Sequence, residues 1–270
     1  MDNNIKKKKF AKREYIYRKR IPYGMMNFVT VRRDDCYYVD KTSYIEEIER
    51  SNKFFFYIRP RRFGKSLTLS MLKQYYDINM ADRFEELFGG LYIGENPTPE
   101  HNTYLIISLN FAVVDANLEN YKKGLDAHCN TEFNYFCDVY AQYLPVDIKE
   151  EMNRKDGAAE QLDYLCKECK KTGQKVYLFI DEYDHFTNTI LAEPDCLNSY
   201  QAETHGTGYL RKFFDTIKSA TDSTLERVFV TGVSPVTMDD LTSGFNIGTN
   251  YSLSSICCQE LVRKLLQHSC

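Results

Sequence analysis

Short, continuous apolar runs separated by longer segments at helical spacing set the pattern of this chain. Phe54-Phe55-Phe56-Tyr57-Ile58, Tyr104 to Phe111, Val176-Tyr177-Leu178-Phe179-Ile180 and Arg227-Val228-Phe229-Val230-Thr231 all have the length of a strand. They do not alternate between apolar and polar positions, as expected of strands buried on both faces. Leu67, Leu69, Met71, Leu72, Tyr75 and Tyr76 supply two overlapping stripes at helical spacing, which predicts a helix packed on more than one side. Leu118 to Tyr143, Met152 to Lys171 and Gly208 to Ala220 also read as helices, with Pro145 between the first two and Gly173 closing the second. Ser43 and Glu46 fit a capping box for a helix through Ile45 and Ile48, and Asn96-Pro97-Thr98-Pro99 marks a turn. Strands alternating with helices predict an α/β fold, a three-layer sandwich built on a mainly parallel sheet.

Composition narrows the class. With 270 residues, 43% of them apolar, the chain can bury roughly three quarters of its unfolded surface in one large domain. No apolar run approaches the about 20 residues that span a bilayer, and no secretory signal is visible, so a cytoplasmic protein without a membrane partner is expected. The nine cysteines, an odd number, suit free thiols in a reducing compartment. Cys166 and Cys169 form a lone CxxC inside a predicted helix, without a second pair or histidines at zinc spacing, and are read as structural.

The net charge of -3 is uneven. Residues 1–20 carry nine Lys or Arg against Asp2 and Glu14, giving +7 there and -10 elsewhere. A flexible, solvated basic tail over 1–20 is expected, and the acidic remainder argues against broad nucleic-acid binding.

Candidate chemistry gathers where strands end. Arg59-Pro60-Arg61-Arg62-Phe63-Gly64-Lys65-Ser66-Leu67 connects a buried strand to a helix, the setting of a phosphate loop. Free N–H groups and the helix dipole at that start attract polyphosphate oxygens. Gly64 would let the backbone approach the phosphates, Lys65 would reach between the β- and γ-phosphates, and the Ser66 hydroxyl would meet Mg²⁺. The motif GxxxxGK[ST] wants glycine where this chain has Arg59, so the loop must start without freedom at positive φ. Asp181-Glu182 ends the third apolar run, 115 residues after Ser66. A parallel sheet gathers such strand ends on one edge, which would place Asp181 in the Mg²⁺ shell and Glu182 against the attacking water. Thr231 and Ser234 end the fourth strand, where a hydroxyl could sense the γ-phosphate. His185, beside an acid already suited to act as base, is read as structural.

On these residues the chain resembles the prokaryotic AAA-ATPase-like family. The likeness rests on Tyr38-Val39-Asp40-Lys41-Thr42, the segment 59–66, Phe179-Ile180-Asp181-Glu182-Tyr183-Asp184, Thr231-Gly232-Val233-Ser234-Pro235 and Gly244-Phe245-Asn246-Ile247. It covers residues 21–253. The resemblance implies the P-loop fold of the additional-strand (AAA/STAND-like) ATPases, with the strand ending at Thr231 inserted between those bearing Lys65 and Asp181. It also makes arginine at position 59 usual and ATP the nucleotide, and it leaves Asp40 and Lys41 without a role beyond turn and cap. Members of the family commonly continue into a helical region and a nuclease-like PD-(D/E)XK domain. This chain diverges over 254–270, where a helical lid is expected, and so reads as truncated, with no nuclease carboxylate cluster.

The expected activity is Mg²⁺-dependent ATP hydrolysis that drives or regulates an effector module, with Glu182, Lys65 and Thr231 as catalytic residues, residues 59–67 on the nucleotide, and Ser66 and Asp181 on the metal. A protein effector or self-association is the expected partnership, and DNA enters through family analogy alone. The alternatives are a non-hydrolysing nucleotide switch and an inactive remnant.

Overall fold

The computed structural model describes residues 19–114, 121–185, 208–234 and 249–250. Its four apolar runs form β1 (Phe54–Ile58), β2 (Tyr104–Asn110), β3 (Lys175–Asp181) and β4 (Arg227–Gly232), extended at one edge by the two-residue β5 (Thr249–Asn250). All pairings are parallel, in the order β2-β3-β4-β1-β5. β4 therefore lies between β1 and β3, as the resemblance implied.

Alternate residues of each strand point to opposite faces, and both faces are covered. One face, through Phe55, Tyr177, Phe179 and Phe229, packs on α1 (Phe28–Arg33), α2 (Tyr44–Arg50), α3 (Lys65–Tyr76), α4 (Phe84–Phe88) and α5 (Tyr92–Glu95). The other, through Phe54, Phe56, Leu178, Ile180 and Val230, packs on α6 (Tyr121–Val139), α7 (Ile148–Asn153), α8 (Gly157–Lys171) and α9 (Tyr209–Thr221). Burial on both sides is why these strands read as uninterrupted apolar runs. The cysteines of the CxxC, Cys166 and Cys169, are free and buried in α8, in keeping with a structural role.

Three local expectations are corrected. The capping box does not form: Ser43 has helical φ and ψ and no side-chain cap bond, while Glu46 pairs with Arg50 and accepts from the Tyr92 hydroxyl. Asp40 does the tethering instead. Its Oδ1 accepts from the Thr42 N–H and hydroxyl, its Oδ2 accepts from the Tyr92 N–H at 2.8 Å, and buried Thr42 in turn accepts from the Ile93 N–H. This network ties the start of α2 to that of α5.

Second, the helix expected over 152–171 is two helices. The chain breaks before Gly157, whose φ of +74° ends helical propagation, and Asp126 of α6 accepts the Ala158 N–H at the start of α8. Gly173, also left-handed, closes α8 as expected, with the Gln174 N–H returning to the Cys169 carbonyl. Third, the helix expected to reach Tyr143 ends at Val139 and is followed by a short 3₁₀ turn.

β2 is an edge strand, and α6 together with the residue that follows it blunts it. The outward N–H of Ile106 donates to the Tyr140 hydroxyl and that of Asn110 to His128 Nε2, both at 3.1 Å. At the amino ends of the strands, Arg227 makes two 2.9 Å bonds to Glu100 and one to the Glu49 carbonyl. Glu100 also accepts from Tyr104, and Glu49 from Thr98 and Tyr76, so this cluster fixes the Asn96–Pro99 turn to α2, α3 and β4.

Candidate functional site

β1 delivers the chain to the loop 59–64, and α3 begins at Lys65. Arg59 prolongs the parallel ladder: its N–H donates to the Gly232 carbonyl at 3.2 Å, and its guanidinium lies 5.3 Å from the Tyr57 ring centroid. Positive φ in this loop falls on Arg62 (+70°) and Gly64 (+77°) rather than on Arg59, so glycine is not required at position 59. A Cβ on Gly64 would meet nothing within 4 Å, so the glycine serves the left-handed turn into α3 and not a tight contact. Pro60, Arg61, Arg62 and Phe63 are exposed around it, and Leu67 packs partly against the core beneath.

Lys65 is 5% exposed, and its ammonium donates to the Arg59 carbonyl at 3.1 Å and the Pro60 carbonyl at 3.5 Å. It also lies 3.9 Å from the Glu182 carboxylate. The Ser66 hydroxyl donates to Asp181 Oδ2 at 3.1 Å, across 115 residues of sequence. The other oxygen of that carboxylate accepts from the buried Thr231 hydroxyl and from the Glu182 N–H. These groups meet because β1, β4 and β3 are adjacent and parallel, so their carboxyl ends open onto one edge.

The turn after β3 is held to the end of β4. The Tyr183 N–H donates to the Thr231 carbonyl and its hydroxyl to the Ser234 carbonyl at 2.6 Å, while buried Asp184 accepts from the N–H groups of Val233 and Ser234. Gly232 lies inside this clamp, where a Cβ would come within 2.3 Å of the Tyr183 ring and 2.7 Å of Asp184. Glu182 takes a φ of +52°, a left-handed conformation that costs a non-glycine residue about 1 kcal/mol. Burial and the charges of Asp181 and Asp184 raise the Glu182 pKa, against the opposing pull of Lys65 and Arg61. His185 donates its N–H to the Glu182 carbonyl, as part of the same turn.

Chemically, the arrangement combines a buried ammonium at the start of a 12-residue helix, a hydroxyl and a carboxylate in contact, and a second carboxylate shifted toward neutrality. A profile of the AAA-ATPase-like family, described as a predicted AAA-ATPase, matches residues 22–242, which include every one of these groups. The chain belongs to the AAA-ATPase-like family. It is 29% identical over 248 residues to an uncharacterized protein in the vnfD 5′ region of Azotobacter chroococcum mcd 1. The alignment covers 89% of this chain but 43% of that relative, so the chain spans less than half the relative's length. No solved structure matches significantly. Among the described residues, no helix is long and apolar enough to cross a membrane.

For this AAA-ATPase-like chain, the structure brings together Lys65, Ser66, Asp181, Glu182 and Thr231, all singled out from sequence. It leaves the side chains of Arg61, Arg62 and Phe63 in solvent. Ser234 contributes its backbone to the clamp. Residues 244–247, residues 1–18 of the basic tail expected over 1–20, and the segment 254–270 lie outside the described residues. Sequence reasoning missed Lys73, whose half-buried ammonium donates to the Ser108 hydroxyl at 3.1 Å on the same side of the sheet as Asp181, and it gave no role to Tyr183, Asp184 and Gly232. The signal for the last three was their position beside Glu182 and Thr231. For Lys73 there was none.

Proposed function

We propose that the chain is a P-loop protein of the additional-strand type that binds ATP with Mg²⁺ and hydrolyses it, coupling turnover to an effector module or to self-association. The observation that carries this reading is the Ser66–Asp181 contact with Thr231 on the far oxygen, set beside buried Lys65. The strand order, with β4 between β1 and β3, supports the additional-strand assignment over residues 21–253.

The residues present suit the metal. Ser66 and Asp181 offer hard oxygen donors, as Mg²⁺ prefers, and two protein ligands are usual where phosphates and water complete the shell. Bound there, Mg²⁺ would offset charge on the phosphate oxygens.

In this mechanism the start of α3 and the loop 59–67 bind the polyphosphate through backbone N–H groups, and the left-handed Gly64 permits the approach. Lys65 exchanges the carbonyls of Arg59 and Pro60 for phosphate oxygens. Glu182 takes a proton from the attacking water, and its raised pKa brings it nearer the working pH of a general base. Thr231 holds Asp181 and senses the γ-phosphate side of the site.

Phosphate release should be measured with Lys65→Ala and Glu182→Gln. Lys65→Ala should lose nucleotide binding and turnover together, and Glu182→Gln should keep binding while turnover falls at least a hundredfold, about 2.7 kcal/mol. Undiminished turnover in either variant would remove the assignment. Tight ATP binding with no phosphate release by the natural chain in a single-turnover experiment would replace it with a non-hydrolysing switch.

A further inference from the structure

The charge balance beneath the Ser66–Asp181 contact involves a group that the mechanism above does not use. Lys73 lies seven residues after Ser66 on α3, close to two helical turns, so the two side chains share a face. Helical side chains lean toward the helix start, so the Lys73 stem reaches back toward the end that carries Ser66. Its ammonium is anchored at 3.1 Å on the Ser108 hydroxyl of edge strand β2.

The strand register places that anchor. Ser108 pairs with Phe179 and Asn110 with Asp181, so the Lys73 head is fixed one pleat repeat, about 6.6 Å, below the Asp181 row on the neighbouring strand. Phe179 and Asp181 lie two apart on β3 and face the same side, the side that α3 covers. The other acid whose charge Lys73 feels is Glu132 of α6. Burial lowers the Lys73 pKa, and the charges of Asp181 and Glu132 oppose that fall.

We propose that Lys73 is the internal counter-ion of Asp181, balancing its carboxylate when no cation is bound and thereby setting how tightly the site takes Mg²⁺. It is a positioning residue whose positive charge works against the incoming cation. In the metal-free chain, Lys73 offsets the charge of half-buried Asp181, which accepts from Ser66 and Thr231. When a cation is bound, the same ammonium leans on Glu132 and Ser108. This inference rests on the Mg²⁺-ATP reading for its role in metal affinity, but the pairing itself is testable without nucleotide.

The test uses the full chain in two arms. In EDTA, thermal unfolding is compared for the natural protein, Lys73→Met, Asp181→Asn and the double variant. Lys73→Met is expected to lower the midpoint in the natural background and to have much less effect in the Asp181→Asn background. Equal effects in both backgrounds overturn the pairing. Should Lys73→Met fail to fold, Lys73→Gln takes its place in the same cycle.

The second arm titrates Mg²⁺ against the complex with fluorescent methylanthraniloyl-ADP. Lys73→Met should reach half-saturation at roughly three- to tenfold lower Mg²⁺, and Lys73→Arg should match the natural chain. An unchanged or higher Mg²⁺ requirement in Lys73→Met overturns the inference while leaving the ATP reading in place. If the natural chain binds no nucleotide with Mg²⁺, the ATP reading falls, and the control of metal affinity falls with it.

Discussion

Thr231 and Asp181 lie 50 residues apart in sequence, yet the Thr231 hydroxyl donates to the very carboxylate whose other oxygen accepts from Ser66. The relationship exists because β4 is inserted between the strands that carry the phosphate loop and the acidic pair. Thr231 is fully buried, so its hydroxyl must spend its hydrogen bond inside the protein, and Asp181 is the partner it finds.

Thr231→Val keeps the shape and removes that bond. Turnover is expected to fall at least tenfold, about 1.4 kcal/mol, with nucleotide affinity nearly unchanged, and Thr231→Ser should recover most of the loss. Steady-state phosphate release alongside nucleotide titration measures both, and a valine variant with full turnover would refute the role given to the hydroxyl.

Restoring glycine at the loop's first position should not help. Arg59 does not occupy a left-handed conformation and stacks on Tyr57, so Arg59→Gly adds freedom to the unfolded chain without relieving strain. A loss of about 0.5–1 kcal/mol in urea unfolding is expected. A higher midpoint would show that the arginine is strained after all.

Gly232 and Gly64 respond to alanine for different reasons. Gly232→Ala drives a methyl group into Tyr183 and Asp184 and should cost about 1–3 kcal/mol, with turnover reduced because the clamp sets Glu182 against Thr231. Gly64→Ala meets open space and carries only the strain of its positive φ, about 1 kcal/mol. Comparing the two unfolding midpoints checks the order, and a Gly232→Ala variant as stable as the natural chain would contradict the packing of the clamp.

His128 makes the fold sensitive to mild acid. Its Nε2 accepts the Asn110 N–H, so the ring is neutral with its proton on Nδ1, and burial lowers its pKa against a smaller opposing effect of Glu132. The folded state thus binds this proton less readily than the unfolded state does. Stability is full above the ordinary imidazole value of about 6.5 and is lost as pH falls from there through the folded pKa. His128→Asn should flatten the fall in unfolding midpoint between about pH 6.5 and 5. An unaltered slope would assign the acid sensitivity to other groups.

The strands were legible because burial on both faces writes an unbroken apolar run, and the parallel order then brought Lys65, Ser66, Asp181 and Glu182 together as their positions at strand ends required. What escaped sequence reasoning depends on groups distant along the chain. The break before Gly157 is stabilised by Asp126 from another helix, and Ser43 lost its capping role to Asp40, whose partner Tyr92 lies 52 residues away. Lys73 looks like an ordinary polar residue of an amphipathic helix. Only the strand order sets Ser108 opposite it.

The Arg227 cluster gives the sheet a mechanical polarity. It bolts the amino ends of β4 and β2 to α2 and the 96–99 turn, while the opposite ends carry Asp181, Glu182 and Thr231. Amide exchange should record this gradient from β4 into the turn that follows it. Protons near Arg227 and Val228 would be released only by global unfolding, and those of Val233 and Ser234, held by the single Asp184 carboxylate, by smaller openings. On the ATP reading proposed above, the end that meets the nucleotide can rearrange without loosening the end that keeps the chain folded.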